Sequence, residues 1–595
     1  MTTKENTAVS PGNHTFRVWA PLAQTEVELC VDDTSVPMHP ADDGWWQVDA
    51  PGGPGSRYAY RVDGADERPD PRSLSQPDGP HARSEVVDLA RHRWTDEGWE
   101  GIERSDAVIY ELHVGTFTDE GTLDAAIERL DHLVDLGVNL IELMPVAAFP
   151  GERGWGYDGV SPYAVHQAYG GPAALQRFVD AAHSKGLGVC LDVVYNHLGP
   201  SGNYLPVFGP YFTDRHHTPW GWAVNLDGPQ SDEVRRYLID NATMWFRDFH
   251  LDALRLDAVH ALIDDRAVHF LEELAAQTDS LSDVLGRPLL LIAESDRNDP
   301  ATVTDRAPGG EGGQGLHAQW ADDVHHTWHV LLTGETQGYY ADFADPEAIT
   351  KIARTPFFHD GTWSSFRQRH HGRPVDGSST PGDRFVVSLQ THDQVGNRAT
   401  GDRLSHLVSP GRLAIGAALM LTSPYTPMLF MGEEWGASTK WAYFTDHEES
   451  DLATAVSEGR RKEFADHGWS DEVPDPQARS TRDASVLQWR ELDEPTHRAL
   501  LEWYRALISL RREVADLHNP SPESSRIERS GDLLIVHRGE HRVVANLGGE
   551  PARIDNDQHI VAAFETSMDA GGDVVVEPDG VVLLGPRTDN EGTVR

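Results

Sequence analysis

The chain has 595 residues, 39% of them hydrophobic, and carries 95 acidic against 50 basic side chains, a net charge of −45. That length predicts three or four domains, one of them a large barrel. The negative charge disfavours nucleic acid and membrane surfaces as partners, because both are themselves negatively charged.

The first 90 residues predict a small β-domain and a linker. Four short runs of β-forming residues are separated by Gly, Pro and Asp. They are "TFRVWAP" (15–21), "EVELCVD" (26–32), "GWWQVDA" (44–50) and "RYAYRVDG" (57–64). Short strands with regular turn signals predict a β-sandwich. The Pro-rich stretch "ERPDPRSLSQPDGPHARS" (67–84) predicts an irregular linker lying on a surface.

From about residue 105, apolar strands alternate with helices, and we assign residues 91–520 to this region. Strands are predicted at 107–115, 138–146, 187–197, 251–260, 288–296, 385–393 and 427–436, and helices at 123–137, 172–186, 231–250, 265–277 and 497–517. This alternation predicts an α/β fold with parallel strands. A strand count near eight favours a closed (β/α)8 TIM barrel over an open sheet. No glycine-rich phosphate loop follows the first strand, which argues against nucleotide binding.

The remaining residues, 521–595, predict a small C-terminal antiparallel β-domain, with strands at 533–539, 541–549, 552–555 and 574–586.

Compartment and membrane association follow from the cysteines and the apolar runs. Cys30 and Cys190 fall in different predicted domains, so free thiols in a reducing compartment are expected. The N-terminus lacks the apolar core of a secretory signal. The apolar stretch 413–431 is broken by two prolines, which predicts a buried helix and a strand rather than a membrane span. These features predict a cytoplasmic protein.

Four of the predicted strands end in polar and ionisable residues. These residues are Asp192, Asn196 and His197; Arg255, Asp257 and His260; Glu294 and Asp296; and His392 and Asp393. A single Asp at a strand end is most often a helix cap. Active sites of barrel enzymes, however, lie at the carboxyl ends of several strands. Two carboxyl groups flanking a substrate are what cleavage of a glycosidic bond requires.

The neighbours of two of these carboxyls predict different roles. Asp257 shares a strand face with Arg255, because side chains two residues apart on a strand point the same way. A nearby positive charge favours an ionised carboxylate, which suits a nucleophile. Glu294 follows the apolar run "LLLIA", and such surroundings raise a carboxyl pKa, which suits a general acid.

The segments "DVVYNH" (192–197), "LRLDAVH" (254–260), "AESD" (293–296) and "THD" (391–393) resemble, in order and spacing, the short segments of the alpha-amylase superfamily of glycoside hydrolases. The resemblance implies a retaining reaction without a cofactor. It implies that Asp257 is the nucleophile, Glu294 the general acid/base and Asp393 a third carboxylate that holds sugar hydroxyls. Substrate-binding roles are implied for Arg255, His197, His392, Tyr157, Asp192, Asn196 and His260.

Within this superfamily, a sandwich ahead of the barrel occurs in branching enzymes, in debranching enzymes and in enzymes that cut beside a terminal trehalose unit. Stretches such as "DPRSLSQPDGPH", "WGYDGVSPYA" and "THDQVGNRATGDRL" resemble the last group most closely. Gln394 also stands where branching enzymes tend to carry an acid. The implied substrate is maltooligosyltrehalose or a related α-1,4-glucan, and the implied product is trehalose. Branching or debranching is the alternative reaction, and a non-catalytic glycan-binding protein is a further alternative.

The outer subsites are open at this stage. Trp220 and Trp222 are predicted equally as a stacking platform or as core. Asp323, beside the pair His325–His326, is preferred as a sugar contact over a metal ligand, because no second ligand cluster accompanies it. Asn196 matches a calcium-binding position of many alpha-amylases but has no clear partner set, so no metal is predicted. The acidic tract "DHEESD" (446–451) predicts a solvated loop. The oligomeric state is left open, with a monomer favoured.

Overall fold

The computed structural model describes residues 12–307, 312–465, 473–554, 558–568 and 573–586. Eight parallel strands form a closed barrel, each pairing with the next strand along the chain. They are β1 (Ile109–Leu112), β2 (Leu140–Leu143), β3 (Gly188–Val193), β4 (Ala253–Leu256), β5 (Leu290–Ala293), β6 (Ala318–Trp320), β7 (Phe385–Ser388) and β8 (Thr426–Phe430). The predicted (β/α)8 barrel is confirmed.

Helices connect and flank the strands of the barrel. The longer ones are Gly171–Ser184, Ser231–Asp248, Phe270–Leu285, Asp322–Thr333, Pro410–Leu421, Ser450–Ala465 and Pro495–Glu513. Shorter ones are Val114–Phe117, Leu123–Ile127, Leu130–Leu136, Leu205–Phe208, Ala348–Ile352, His392–Gly396, Leu404–Leu407, Arg479–Asp483 and Ala515–His518. The helix predicted over 123–137 is therefore two helices. The helix predicted from residue 265 begins five residues later, after His269 caps its first turn.

The barrel interior changes from apolar to polar along the strands. Residues two apart on a strand point into the same interior. On β1 to β4 these inward pairs are Ile109 and Glu111, Leu140 and Glu142, Cys190 and Asp192, and Ala253 and Arg255. The apolar members pack the lower barrel, and the polar members form a layer beneath the carboxyl ends of the strands. The strand parity thus places ionisable side chains where barrel enzymes carry out chemistry.

The N-terminal residues form the predicted β-sandwich. One antiparallel sheet contains Asn13–Trp19, Trp45–Pro51 and His39–Pro40, and the other contains Thr34–Pro37, Val27–Val31, Arg57–Val62 and Ser84–Glu85. The linker predicted over 67–84 is irregular, as expected, but it does not simply lie on a surface. Ser73, Ser75 and Gln76 are almost completely buried in it.

The C-terminal residues form one antiparallel sheet of six described strands. They are Ser525–Ser530, Leu533–Arg538, His541–Asn546, Ala552–Ile554, His559–Met568 and Val574–Gly585. The first and fifth of these were not predicted, because "SRIERS" is mostly polar and "HIVAAFETSM" lacks a clear alternation.

The two cysteines and the long apolar stretch are buried within this fold. Cys30 and Cys190 are both free and buried, and they lie in different domains, as predicted. The stretch 413–431 forms the end of helix Pro410–Leu421 and then β8. Within the described ranges, no helix is both long enough and apolar enough to cross a membrane.

Candidate active site

Asp257 lies directly beyond the end of β4, beside two buried charged side chains. Nη1 of Arg255 donates to Oδ1 of Asp257 at 2.7 Å and to Oδ2 of Asp192, on β3, at 2.9 Å. The guanidinium of Arg255 is fully buried and lies 4.3 Å from the centre of the Trp320 ring on β6. The predicted pairing of Arg255 with Asp257 is confirmed. Arg255 thus holds one carboxylate oxygen of Asp257 in a fixed position, which suits a nucleophile.

The turn after Asp257 connects it to Glu294. Ala258 has φ +40° and ψ +51°, a left-handed conformation that is unfavourable for a residue with a Cβ. In this turn the backbone N–H of Ala258 donates to Oε2 of Glu294 at 2.6 Å. Strained backbone positions concentrate at functional sites, and this one ties the ends of β4 and β5 together.

Glu294 follows the last residue of β5 and has the pKa expected of a general acid. Burial raises its pKa from an ordinary 4.5, Arg255 opposes the rise, and the carboxylates of Asp257, Asp322 and Asp393 add to it, giving about 8. The apolar run before Glu294 predicted the direction of this shift, whereas the three carboxylates belong to other parts of the chain. At pH 7 the group is therefore mostly protonated.

Asp393 stands on the first turn of the short helix His392–Gly396, after β7. Almost half of its side chain, 45%, is exposed to the cleft. Oδ1 accepts a hydrogen bond from Nδ2 of Asn397 at 3.2 Å. Oδ2 of Asp393 lies 3.6 Å from Nε2 of His392, and the charge of Asp393 adds to the rise in the pKa of Glu294. The structure thus brings the three predicted carboxyls together.

Tyr157 and His392 form a stacked pair against Asp192. Their ring centroids are 5.1 Å apart, at an interplanar angle of 27°. The Tyr157 hydroxyl donates to Oδ2 of Asp192 at 2.6 Å and lies 2.8 Å from Nε2 of His392. Gly156 has φ +103°, and a Cβ there would lie 2.2 Å from the carbonyl oxygen of Pro145, so only glycine permits this turn. The sugar contact that the resemblance implies for Tyr157 stays a prediction.

His197 lies at the wall of the cleft, but its ring nitrogens contact protein groups. Nε2 donates to the carbonyl oxygen of Tyr157 at 3.1 Å, and Nδ1 lies 3.2 Å from Oδ1 of Asn196. The ring stacks on Trp220, with centroids 4.6 Å apart and planes 6° from parallel. The N–H group by which His197 would bind the sugar, according to the resemblance, already donates to the carbonyl oxygen of Tyr157. The face of the His197 ring packs against Trp220 instead.

Trp220 and Trp222 are surface residues of the hairpin Phe212–Thr218 and Gly221–Val224. Their exposed fractions are 48% and 59%, so the alternative that they belong to the core is wrong. Trp220, held by His197, remains the candidate stacking platform.

His260 connects the loops that follow β4 and β5. Its Nδ1 accepts from the backbone N–H of Asp296 at 3.2 Å, and its carbonyl oxygen accepts from Nη2 of Arg297 at 2.9 Å. Burial lowers the pKa of His260, so the ring is neutral at pH 7. The residue therefore braces the loop that carries Glu294.

The predicted sugar contact of Asp323 needs correction. Its Oδ2 accepts from Nδ2 of Asn298 and from the backbone N–H of His359, both at 2.8 Å, and the residue is only 4% exposed. The helix after β6 turns this side chain into the protein and its neighbour Asp322 towards the cleft. Burial, together with the charge of Asp393, raises the pKa of Asp322 to about 7.

His325 and His326 follow on the same helix. Their Nδ1 atoms are 3.0 Å apart, and the two rings meet edge to face at an interplanar angle of 78°. Burial lowers the pKa of both rings, that of His326 to about 3. They pack as neutral imidazoles among the rings of Tyr339 and Tyr340.

Among the residues that the structure describes, one group of metal-ligand side chains lies close together, formed by His216, Asp227 and Asp265. Asp227 accepts from Nε2 of His216 at 2.9 Å and pairs with Arg215 at 3.2 Å. Because a guanidinium already neutralises this carboxylate, we propose no metal site there.

The acidic tract 446–451 lies on the rim of the barrel and is not simply a solvated loop. Asp446 pairs with Arg153, in the loop after β2. Glu449 accepts a hydrogen bond from the hydroxyl of Ser201, in the loop after β3. These contacts connect three loops around the mouth of the barrel.

Three residues of the site were not predicted from the sequence. Glu111 binds His392 from below, Trp320 stacks on Arg255, and Asp322 faces the cleft. The sequence does carry a signal for Glu111, because this acidic residue stands alone inside the apolar run "VIYEL" (108–112), much as Arg255 and Asp257 stand among apolar residues in "LRLDAVH". Trp320 lies in a strand of three residues, which is too short to show alternation.

A closed barrel with three carboxyls around one cleft, at the ends of β4, β5 and β7, is the arrangement of alpha-amylase-type glycoside hydrolases. The family model described as "Alpha amylase, catalytic domain" matches residues 81–207. The model described as "Carbohydrate-binding module 48 (Isoamylase N-terminal domain)" matches residues 3–77.

The similarity to individual proteins extends over almost the whole chain. The malto-oligosyltrehalose trehalohydrolase of Arthrobacter ramosus is 54% identical, covering 96% of this chain and 98% of that protein. The Mycobacterium tuberculosis protein of the same name is 50% identical, covering 93% and 96%. A crystal structure from Salmonella typhimurium, assigned to the alpha amylases, has a TM-score of 0.88 at 38% identity, covering 98% and 99%. The chain belongs to the malto-oligosyltrehalose trehalohydrolase family.

Proposed function

We propose that this protein hydrolyses the α-1,4-glucosidic bond next to the terminal trehalose unit of maltooligosyltrehalose, releasing trehalose. The observation that carries the proposal is a single cleft in which Asp257 is paired with Arg255 while the pKa of Glu294 is about 8. Glycosidic cleavage requires one carboxyl that attacks the anomeric carbon and a second that still holds its proton at pH 7, and Glu294 meets the second requirement. The choice of substrate rests on the names of the relatives. The proposed location is the cytoplasm.

The first step forms a covalent intermediate on Asp257. Its carboxylate attacks the anomeric carbon, the bond from that carbon to the glycosidic oxygen breaks, and Glu294 gives its proton to the leaving oxygen. Trehalose leaves with that proton. Arg255, already bound to Asp257, holds the attacking oxygen in place, and Asp393 is placed to bind the sugar hydroxyls.

The second step restores the enzyme with water. Glu294, now ionised, takes a proton from a water molecule, whose oxygen attacks the anomeric carbon and displaces Asp257. Two inversions at the same carbon leave its configuration unchanged. The products are therefore trehalose and an α-configured maltooligosaccharide.

The reaction is tested by incubating the purified protein with maltopentaosyl-trehalose and separating the products by chromatography. We expect trehalose and maltopentaose, with the α-anomer appearing first in proton NMR spectra. Amylose and glycogen, under the same conditions, test the alternative reactions. If amylose were branched or glycogen debranched faster than the trehalose-capped chain was cut, the proposed reaction would be wrong.

The role of Asp257 is tested by Asp257→Ala, for which we expect kcat to fall by roughly 10⁴-fold, because the nucleophile is removed. The matched control is Asp232→Ala. Asp232 is an exposed residue of the outer helix Ser231–Asp248 and pairs with Arg266, in the loop before the next helix. Asp232→Ala should retain wild-type activity. Wild-type turnover by Asp257→Ala would remove the assignment.

A further inference from the structure

Glu111, on β1, lies beneath the cleft and binds one residue at two points. Oε1 accepts from Nδ1 of His392 at 2.5 Å, and Oε2 accepts from the backbone N–H of His392 at 3.0 Å. Both residues are at most 2% exposed at their side chains. One carboxylate thus fixes the ring of His392 and also the start of the helix whose next residue is Asp393.

The hydrogen bonds around His392 require a proton on each ring nitrogen. Nδ1 faces the carboxylate of Glu111, which can only accept. The Tyr157 hydroxyl gives its single proton to Asp192, so towards Nε2 of His392 its oxygen can only accept. A ring that donates from both nitrogens is an imidazolium cation. These contacts therefore favour a charged His392.

The other ionisable groups around His392 come from several elements. They are Asp393 on its own helix, Asp192 on β3, Arg255 on β4, Glu142 on β2, and His113 and Tyr157 on loops. Burial lowers the pKa of His392 and Arg255 opposes the cation, but Asp393 and Glu111 together raise that pKa to about 9. The charge thus depends on the two carboxylates in contact with the ring.

Glu142 offers a natural comparison on the neighbouring strand. It pairs in register with Glu111 and is equally buried, yet its contact is with Sγ of Cys190, 3.8 Å away. Burial, with Glu111 beside it, raises the pKa of Glu142 well above its usual range. The two adjacent carboxyls therefore differ in their contacts, because Glu111 binds His392 whereas burial favours the neutral form of Glu142.

We propose that Glu111 is a positioning residue that keeps His392 charged and sets the direction of both its ring and the helix carrying Asp393. Glu111 does not touch the sugar and acts through His392. The effect of the Glu111–His392 contact on catalysis rests on the proposed function. The charge of His392 can be measured whether or not that function is correct.

The test replaces Glu111 by the neutral, nearly isosteric glutamine. In protein labelled with ¹⁵N in the histidine rings, NMR titration follows the protonation of His392, whose signal is identified by its loss in His392→Asn. In Glu111→Gln we expect the midpoint to fall from about 9 by about one to two pH units, because a contacting carboxylate is lost. The alkaline limb of kcat/KM should move to lower pH once the midpoint of His392 falls below the pKa of Glu294, about 8.

Three further variants distinguish a positioning role of Glu111 from a general loss of structure. Glu142→Gln changes the same barrel layer at the same depth and should leave the His392 midpoint unchanged. In the double variant Glu111→Gln/His392→Asn, activity should equal that of His392→Asn alone. The charge effect of Glu111 passes through the His392 ring, and the glutamine oxygen can still accept from the backbone N–H of residue 392. Glu111→Asp, which keeps the charge, should retain most of the high midpoint.

An unchanged His392 midpoint in Glu111→Gln overturns the proposal, whatever the activity. If Glu111→Gln fails to fold, the titration of His392 in the wild-type protein tests the proposal instead. A wild-type midpoint at or below the ordinary histidine pKa near 6.5 would also overturn it. A wild-type midpoint near 9 without release of trehalose would contradict the proposed function and leave the role of Glu111 intact.

Discussion

Asp322 and Asp323 are neighbours in the sequence but differ in almost every physical property. Asp323 is buried, and its carboxylate accepts two hydrogen bonds from the protein. Asp322 faces the cleft, where its charge and that of Asp393 act on each other and on Glu294. Successive helix residues lie about 100° apart around the axis, so only one of the pair can face the substrate.

At the residue scale, this difference predicts the pH dependence of catalysis. Asp322→Asn removes a negative charge near Glu294, so the pKa of Glu294 falls below about 8 and its proton is lost at lower pH. The alkaline limb of kcat/KM, which reports the free enzyme, should move down by about 0.5 to 1 pH unit. Rates on maltopentaosyl-trehalose from pH 5 to 10 measure it.

The control for this prediction is the neighbouring aspartate. Asp323→Ala leaves Asn298 and His359 without their acceptor, which should lower the free energy of unfolding by about 1–3 kcal/mol while the pH limb stays in place. If Asp323→Ala moved the limb as far as Asp322→Asn, the assignment of Asp322 to the cleft would be wrong.

At the scale of elements, strand alternation is what made the barrel and its site predictable. Each of β1 to β4 carries an apolar and then a polar inward residue, and the four acidic strand ends stood out because burial of such groups is costly without a partner. A strand must have about four or more residues to show alternation, and so β6, which has three, was not predicted. Strand alternation does not show which side of a helix faces the cleft, and so the sugar contact was predicted at Asp323 instead of Asp322.

Contacts between distant parts of the chain left no such local signal. The linker looked like a polar surface segment because Ser, Gln and Pro are usually exposed, whereas here Ser73, Ser75 and Gln76 are enclosed by other elements. The acidic tract 446–451 was misread for the same reason, since its partners lie in loops hundreds of residues away. Hydrogen-bond partners that distant cannot be identified from one sequence.

The hairpin Phe212–Thr218 and Gly221–Val224 supports a prediction about substrate binding. If Trp220 is a stacking platform, Trp220→Ala should raise KM by about 2- to 10-fold with little change in kcat, because an aromatic contact contributes about 0.5–1.5 kcal/mol. Trp222→Ala is the matched control, since Trp222 is more exposed than Trp220 on the same hairpin. Steady-state kinetics on the capped chain measure both, and equal KM values for the two variants would leave Trp220 without this role.

At the scale of the whole molecule, the sandwich, the linker and the barrel are joined by a few well-bonded side chains. Nη1 of Arg72, in the linker, donates to the Tyr163 hydroxyl and to Oδ2 of Asp240, both at 2.9 Å. The Tyr237 hydroxyl donates back to the carbonyl oxygen of Pro71 at 2.8 Å. The guanidinium of Arg72 also lies near the rings of Tyr163 and Tyr237, each 5.4 Å away. Such bonds indicate that the linker is part of the folded unit.

We therefore predict that the sandwich and barrel unfold together and that Arg72 is one of the residues that couple them. Arg72→Ala should lower the free energy of unfolding by about 1.5–3 kcal/mol, the range for hydrogen bonds to a charged group. Differential scanning calorimetry should still show one transition, at a lower temperature. Arg91→Ala, which removes an exposed ion pair with Asp88 at 3.8 Å, should change stability by no more than about 0.5 kcal/mol. A separate early transition in Arg72→Ala would mean that the two domains fold independently and that the linker merely rests on the barrel.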